Sequence, residues 1–185
     1  MHGSALADGS YELDPPHTFI LFSAKHLVVG RVDGRFDRAK GTITIAQNLA
    51  ESSVDVSIDP HSLSTQNGVR DEDLRGPDFF AAAKYPAVTY QGRGIRESAA
   101  GWIVDGALTI RDVTRTVPLW FSFKGAAPVV PGKPNRIAFY AKAAVKRADF
   151  GMMRELLDEI GFVSDAPDVW ITIDAELLLS APSSQ

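Results

Sequence analysis

Four histidines are the residues best suited to acid–base or metal chemistry, and they stand at His2, His17, His26 and His61. No two of them are spaced as metal ligands, and the chain has no cysteine to join them. Thiolate catalysis, disulfides and cysteine-held zinc or iron–sulfur clusters are therefore excluded. No HExxH, GxSxG, P-loop or GxGxxG pattern occurs. Neither a metal nor an organic cofactor is implied. The remaining candidates are carboxylates and bases in local clusters. Asp71, Glu72 and Asp73 fall in the first turn of an expected helix, where the helix dipole favours negative charge, with Arg70 and Arg75 at hand as ion-pair partners. Arg147 and Asp149 flank Ala148, so a salt bridge at a strand end is the first reading and ligand contact the second. His26 shares one face of an alternating segment with Ile20, Phe22 and Ala24. Its first reading is a core or rim histidine bonded to a backbone carbonyl. A polar anchor for a ligand head group is the functional alternative.

The elements that would hold these groups are strands. Val54, Val56 and Ile58 alternate with Ser53, Asp55, Ser57 and Asp59. Thr42-Ile43-Thr44-Ile45 repeats the pattern, as do Val117 to Phe123, Ile137 to Val145 and Val169 to Leu177. Further strands are expected over Ser10–Asp14, Thr18–Leu27, Val32–Phe36, Ala87–Ile95 and Trp102–Ile110. Gly, Asp, Asn and Pro punctuate the gaps, giving about ten regularly spaced strand segments, most with one polar face, the pattern of a sandwich or barrel. Two segments break the alternation. Asn67 to Lys84 is expected to form one or two short helices around Pro77, and Met152 to Ile160 has helical apolar spacing stopped by Gly161. Both inserts are suited to covering a barrel end.

The bulk composition agrees with a single core. The chain has 185 residues, 45% of them hydrophobic, which suits one all-β domain. Net charge is −4 and no basic run stands out, so neither a nucleic-acid surface nor a polybasic membrane patch is expected. No stretch approaches the roughly 18 apolar residues of a membrane span, so stable membrane insertion is not expected. Residues 1–9 are read as a flexible arm, 10–180 as one barrel domain and 181–185 as a tail. Met1 to Ser10 lacks the charged and apolar regions of a signal peptide. The sequence as it stands is therefore expected in the cytoplasm, or in the periplasm or outside the cell if its start has been trimmed.

The order of motifs carries a resemblance. Leu13-Asp14 leads to His17, Phe22 and Lys25-His26-Leu27, then Val32, Gly34, Phe36 and Gly41. Ile58-Asp59 leads to Ser62-Leu63-Ser64-Thr65, Asn67, Arg70-Asp71 and Leu74, followed by Asp78-Phe79-Phe80 and Lys84-Tyr85-Pro86. Gly106-Ala107-Leu108-Thr109-Ile110 runs into Val113-Thr114-Arg115, and Arg147-Ala148-Asp149-Phe150-Gly151 follows. Each motif is short, but together and in this order they resemble the YceI-like family of lipocalin-like, polyisoprenoid-binding proteins over residues 10–180. Two positions depart from the family pattern. Thr18 stands where Ser is typical and keeps the hydroxyl. Asp112 stands where the hairpin usually has Gly, and Asp tolerates the left-handed conformation that such a turn needs.

The resemblance implies an extended eight-stranded antiparallel barrel with an apolar tunnel, holding a long-chain isoprenoid such as a polyprenyl phosphate or prenyl quinone, or a fatty-acid-like chain. On this reading Ile20, Phe22, Phe36, Ile43, Ile45, Val54, Val56, Val88, Tyr90, Trp102, Leu108, Leu119, Phe121, Phe139, Val169 and Ile171 face the interior. Phe79 and Phe80 add aromatic surface from the helical insert, and Met152 and Met153 give adaptable packing at an opening. His26, Arg70 or Arg147 meets the head group. Periodicity alone does not distinguish a hollow barrel from a filled one. A binding protein that carries or stores lipid is the leading expectation, with no catalytic residues assigned. A closed-core structural barrel and an enzyme using His26 or Asp71 as acid or base are the competing readings. A homodimer is also expected as an option, since family members are often dimers and a sheet edge can pair two copies.

Overall fold

The computed structural model describes residues 8–26, 30–99, 101–152 and 167–180. The alternating segments become ten strands: β1 (Gly9–His26), β2 (Gly30–Phe36), β3 (Ala39–Ile45), β4 (Ser53–Ile58), β5 (Leu63–Ser64), β6 (Val88–Ser98), β7 (Gly101–Ile110), β8 (Val113–Ala126), β9 (Arg136–Val145) and β10 (Val169–Leu179). A helix, α1 (Gly68–Arg75), follows β5. All pairings are antiparallel, and β10 returns to pair with β1, which closes the sheet. β2 and β3 both lie along β1, while β5 and β4 lie along β2 and β3. The ten strands are thus eight staves of a closed barrel, two of them interrupted.

One difference from the sequence reading has a clear cause. Ser10–Asp14 and Thr18–Leu27 were expected as two strands, yet β1 is continuous through Pro15 and Pro16. Leu13 pairs with Leu177 and Thr18 with Ala175, so five steps along β1 match two along β10. The extra residues form a bulge, the place where proline without an N–H does no harm to a ladder. An odd number of extra residues also switches strand parity. Tyr11 and Leu13 therefore face inward before the bulge, and Thr18, Ile20 and Phe22 after it.

The expected helical insert is helical only over α1, which Asn67 caps by accepting from the Arg70 amide at 3.1 Å. Residues 76–85 form successive turns rather than a second helix, and they carry Phe79 and Phe80 to the upper end of the barrel. That end also holds His26, Ile58, Ile110 and Val145, while Gly9, Ser98 and Arg136 mark the lower end. The Met152 to Ile160 helix lies outside the described residues, apart from Met152 itself. In the β7–β8 hairpin the left-handed residue is Arg111 (φ 57°), not Asp112. Its guanidinium reaches the Phe150 carbonyl and, at 3.4 Å, the Pro77 carbonyl, so it ties the hairpin to two covering segments.

Candidate functional site: an apolar tunnel with a cationic mouth

Alternation places an apolar face of every stave inside the closed sheet, and these side chains leave space there. An upper cavity of about 240 Å³ and a lower one of about 90 Å³ lie along the barrel axis. Ile20, Val54, Val56, Leu119 and Ile173 belong to both walls and form a waist between them. For scale, a dry cavity of roughly 150 Å³ accepts a benzene molecule.

The structure brings together nearly all of the interior set expected from the sequence. Ile20, Phe22, Phe36, Val54, Val56, Phe79, Phe80, Val88, Tyr90, Leu108, Leu119, Met152, Val169 and Ile171 line the upper cavity, with His26 and Arg147 at its rim. Ile43, Ile45, Phe121 and Phe139 line the lower one. Trp102 differs from the expectation in position only. It keeps the inward parity of Val104 and packs against the core, but it sits at the lower end of β7, lines neither cavity, and stacks on Phe121 of the lower wall with ring centroids 5.8 Å apart. Met153 lies outside the described residues. Missed from the sequence were Ile58, Ile110, Ile173, Ala175 and Leu177, each of which continues the parity of a strand already read correctly. Phe150 and Leu74 were also missed. They come from covering segments whose position no strand periodicity encodes.

Aromatic rings shape both the mouth and the interior. Phe22, Phe36 and Phe80 form a chain at the upper end, each neighbouring pair 5.6 Å apart. A side chain at Gly34 would collide with the Phe22 ring at 2.3 Å, so this glycine makes room for the chain. Tyr90 projects over Gly106, where an added Cβ would lie 2.3 Å from the ring. Its hydroxyl thereby shares its one proton between the Val104 and Val117 carbonyls, which lie at 3.0 and 2.9 Å. Burial pushes the Tyr90 phenol well above its ordinary range, so it stays neutral in the apolar interior.

The polar groups of the upper wall differ in how their charge is met. Arg147 Nε donates to Asp168 at 2.6 Å, its backbone amide donates to the same carboxylate at 2.8 Å, and its Nη2 donates to the Lys25 carbonyl at 3.0 Å. Arg147 is therefore the closure of β1, β9 and β10 as much as a cavity residue. The salt bridge expected near Arg147 and Asp149 is made with Asp168 instead, and Lys146 takes Asp149 at 3.8 Å. Arg70 is held by neutral oxygens, Thr65 Oγ1 at 2.7 Å and the Thr65 carbonyl at 2.9 Å. Asp71 is buried and accepts from the Thr65 amide and hydroxyl, so it orders the same turn. Lys25 and His26 complete the polar rim.

Among the described residues, Asp14, His17 and Glu176 lie close enough together to suggest a metal site. Arg136 already occupies the space between the two carboxylates and pairs with both, while His17 Nδ1 lies 2.8 Å from Asp14. The cluster is an ion-pair knot that fastens the β1 bulge to β9 and β10. Desolvation pushes the Asp14 carboxyl up, but the hydrogen bonds from His17 and Arg136 outweigh it and hold the group below the usual range.

These features define a closed antiparallel barrel with an aliphatic and aromatic interior and a cationic upper rim. The sequence profile of the YceI-like domain matches residues 11–177, and the chain belongs to that family. A UPF0312 protein of Photorhabdus laumondii is 33% identical over 92% of this chain and 88% of its own length. A UPF0312 protein of Yersinia pestis is also 33% identical, covering 83% and 81%. The crystal structure of the Campylobacter jejuni YceI protein superposes with a TM-score of 0.70 at 28% identity, covering 85% of this chain and 90% of that one. A domain from Saccharophagus degradans, described as polyisoprenoid-binding and implicated in plant cell wall breakdown, shares the fold at a TM-score of 0.63 and 18% identity, covering 92% and 98%.

Proposed function

We propose that this protein binds a long-chain isoprenoid, or a lipid of similar shape, in the barrel tunnel and carries or stores it. One observation carries the reading: two apolar cavities share a waist along one axis, and charged side chains line only the upper one. A prenyl chain matches that shape. Each buried CH₂ equivalent contributes about 0.8 kcal/mol, so ten would contribute roughly 8 kcal/mol before the cost of ordering the chain. The space needs no catalyst to hold such a ligand. It needs dryness, length and one polar end. Family membership and the polyisoprenoid-binding description of the Saccharophagus domain support the same ligand class.

Arg70 is the side chain best suited to a phosphate or other polar head group. Its guanidinium lies on the upper wall and is positioned by Thr65, whereas the charge of Arg147 is met by Asp168. The test is native mass spectrometry of the purified protein, with solvent extraction of its contents, before and after incubation with a prenyl phosphate and a prenyl quinone. A bound apolar molecule in one-to-one ratio is expected. A protein that yields no lipid and takes up neither prenyl compound nor a long-chain acid refutes the reading.

A further inference from the structure

The outer surface of the barrel is not uniformly polar. Trp120, Tyr140 and Trp170 each sit between two residues that line a cavity, so alternation turns their rings outward. Phe19 and Leu21 of β1 are likewise outward, 54% and 41% exposed. Strand register makes these residues neighbours. Phe19 pairs with Asp174, which pairs with Tyr140, and Leu21 pairs with Thr172, which pairs with Lys142 and through it with Trp120. Trp170 lies opposite Ser23, two residues along from Leu21.

This aromatic band carries cations on its rings. Arg31 and Lys25 lie 4.4 and 5.4 Å from the Trp170 centroid, Lys142 lies 4.7 Å from Trp120, and Lys124 lies 5.8 Å from Tyr140. Asp33 and Asp174 are the carboxylates on the same rows, so the band is cationic although the chain as a whole carries −4. It is also continuous with the tunnel mouth. Leu21 and Lys25 belong to this outer surface and to the upper cavity wall at once.

We propose that this face docks on an anionic lipid bilayer. Tryptophan and tyrosine sit stably at headgroup depth because one end of the ring is apolar and the other is polar. Lysine and arginine around them are drawn to anionic headgroups. Docked this way, the upper mouth opens at the membrane surface, and an apolar chain passes between bilayer and tunnel without crossing water. That purpose rests on the ligand reading above, whereas the surface stands on its own residues.

The full-length chain is tested by flotation with vesicles of phosphatidylcholine alone and of phosphatidylcholine with phosphatidylglycerol. Capture of a detergent-dispersed fluorescent prenyl probe is measured in parallel. Binding to the anionic vesicles is expected, with little binding to the neutral ones and a steep fall as salt is raised. Phe19→Ser and the double variant Arg31→Glu/Lys142→Glu should each weaken vesicle binding about tenfold or more while probe capture is unchanged. Should a variant melt early, the unaltered protein still decides the matter. Two of its three tryptophans lie in the band, so brominated lipid in anionic vesicles should quench its fluorescence. Vesicle binding that ignores lipid charge and these substitutions, or no quenching, overturns the proposal. So does sedimentation showing a dimer that the same variants dissociate, because the band would then be covered by a second copy. Docking without probe capture would sink the ligand reading alone, and probe capture without docking would sink the surface alone.

Discussion

Replacing Leu119 by tryptophan tests whether the two cavities act as one tunnel. Leu119 lies on β8 and contributes to both walls, together with Ile20, Val54, Val56 and Ile173. An indole there projects into the waist and separates the upper space from the lower one. The lower cavity runs from Ile173 to Leu177 along β10, which is ~13 Å at a rise of ~3.3 Å per residue. A long prenyl chain that loses even five CH₂ equivalents of burial there loses about 4 kcal/mol, or roughly three decades in Kd. A short chain held in the upper cavity loses little. The assay is isothermal titration of wild type and Leu119→Trp with a short and a long prenyl alcohol, farnesol and solanesol. Melting curves guard against misfolding, since overpacking a filled core costs about 1–3 kcal/mol. The expected result is a large loss for the long ligand and a small one for the short ligand. Equal losses for both, or none for either, would show that the lower cavity takes no part in binding.

Three further outcomes follow from the same interior. Gly106→Ala should displace the Tyr90 ring and break its hydroxyl contacts with the Val104 and Val117 carbonyls, lowering stability by about 1–3 kcal/mol in denaturant unfolding. A Tyr90→Phe variant should lose only about 0.5–1.5 kcal/mol, and the reverse order would count against the steric account. Arg147→Met leaves Asp168 largely buried and without its guanidinium, which should cost about 3–5 kcal/mol, and Asp168→Asn in the same chain should recover part of that in thermal melts. Asp14 binds its proton less readily when folded than when unfolded, so its contribution is present above the unfolded carboxyl pKa of about 3.9 and is lost as pH falls through the lower folded value. Melting temperature measured from pH 6 down to 2 should fall less steeply for Asp14→Asn than for wild type, and identical slopes would remove Asp14 from the account.

The barrel was legible in the alternation because each stave has one wet and one dry face, and this two-residue period is a local property of the chain. Val54, Val56, Leu108, Leu119, Val169 and Ile171 needed only that rule, and they line the cavities as expected. The ordered motifs added the family, which composition and period do not contain. Trp102 faces inward as the alternation expects, but it lies beyond the lower cavity, and where the open space ends along a stave is decided by the closed sheet and not by the strand itself. That Ser10–Asp14 and Thr18–Leu27 join through Pro15 and Pro16 was not legible either, because an isolated strand does not show which of its N–H groups the partner needs.

Local sequence thus determined most of the strand segments, their inward faces and the absence of cysteine chemistry. Tertiary structure decided that β10 closes on β1, that Gly106 yields its space to Tyr90, and that Asp168 rather than Asp149 meets Arg147. It also decided that the interior is hollow. Whether inward side chains touch across a barrel depends on diameter and register, which are properties of the closed sheet as a whole. The outer aromatic band has the same origin: Trp120, Tyr140, Trp170 and Phe19 lie far apart along the chain and become neighbours only when four strands pair in register.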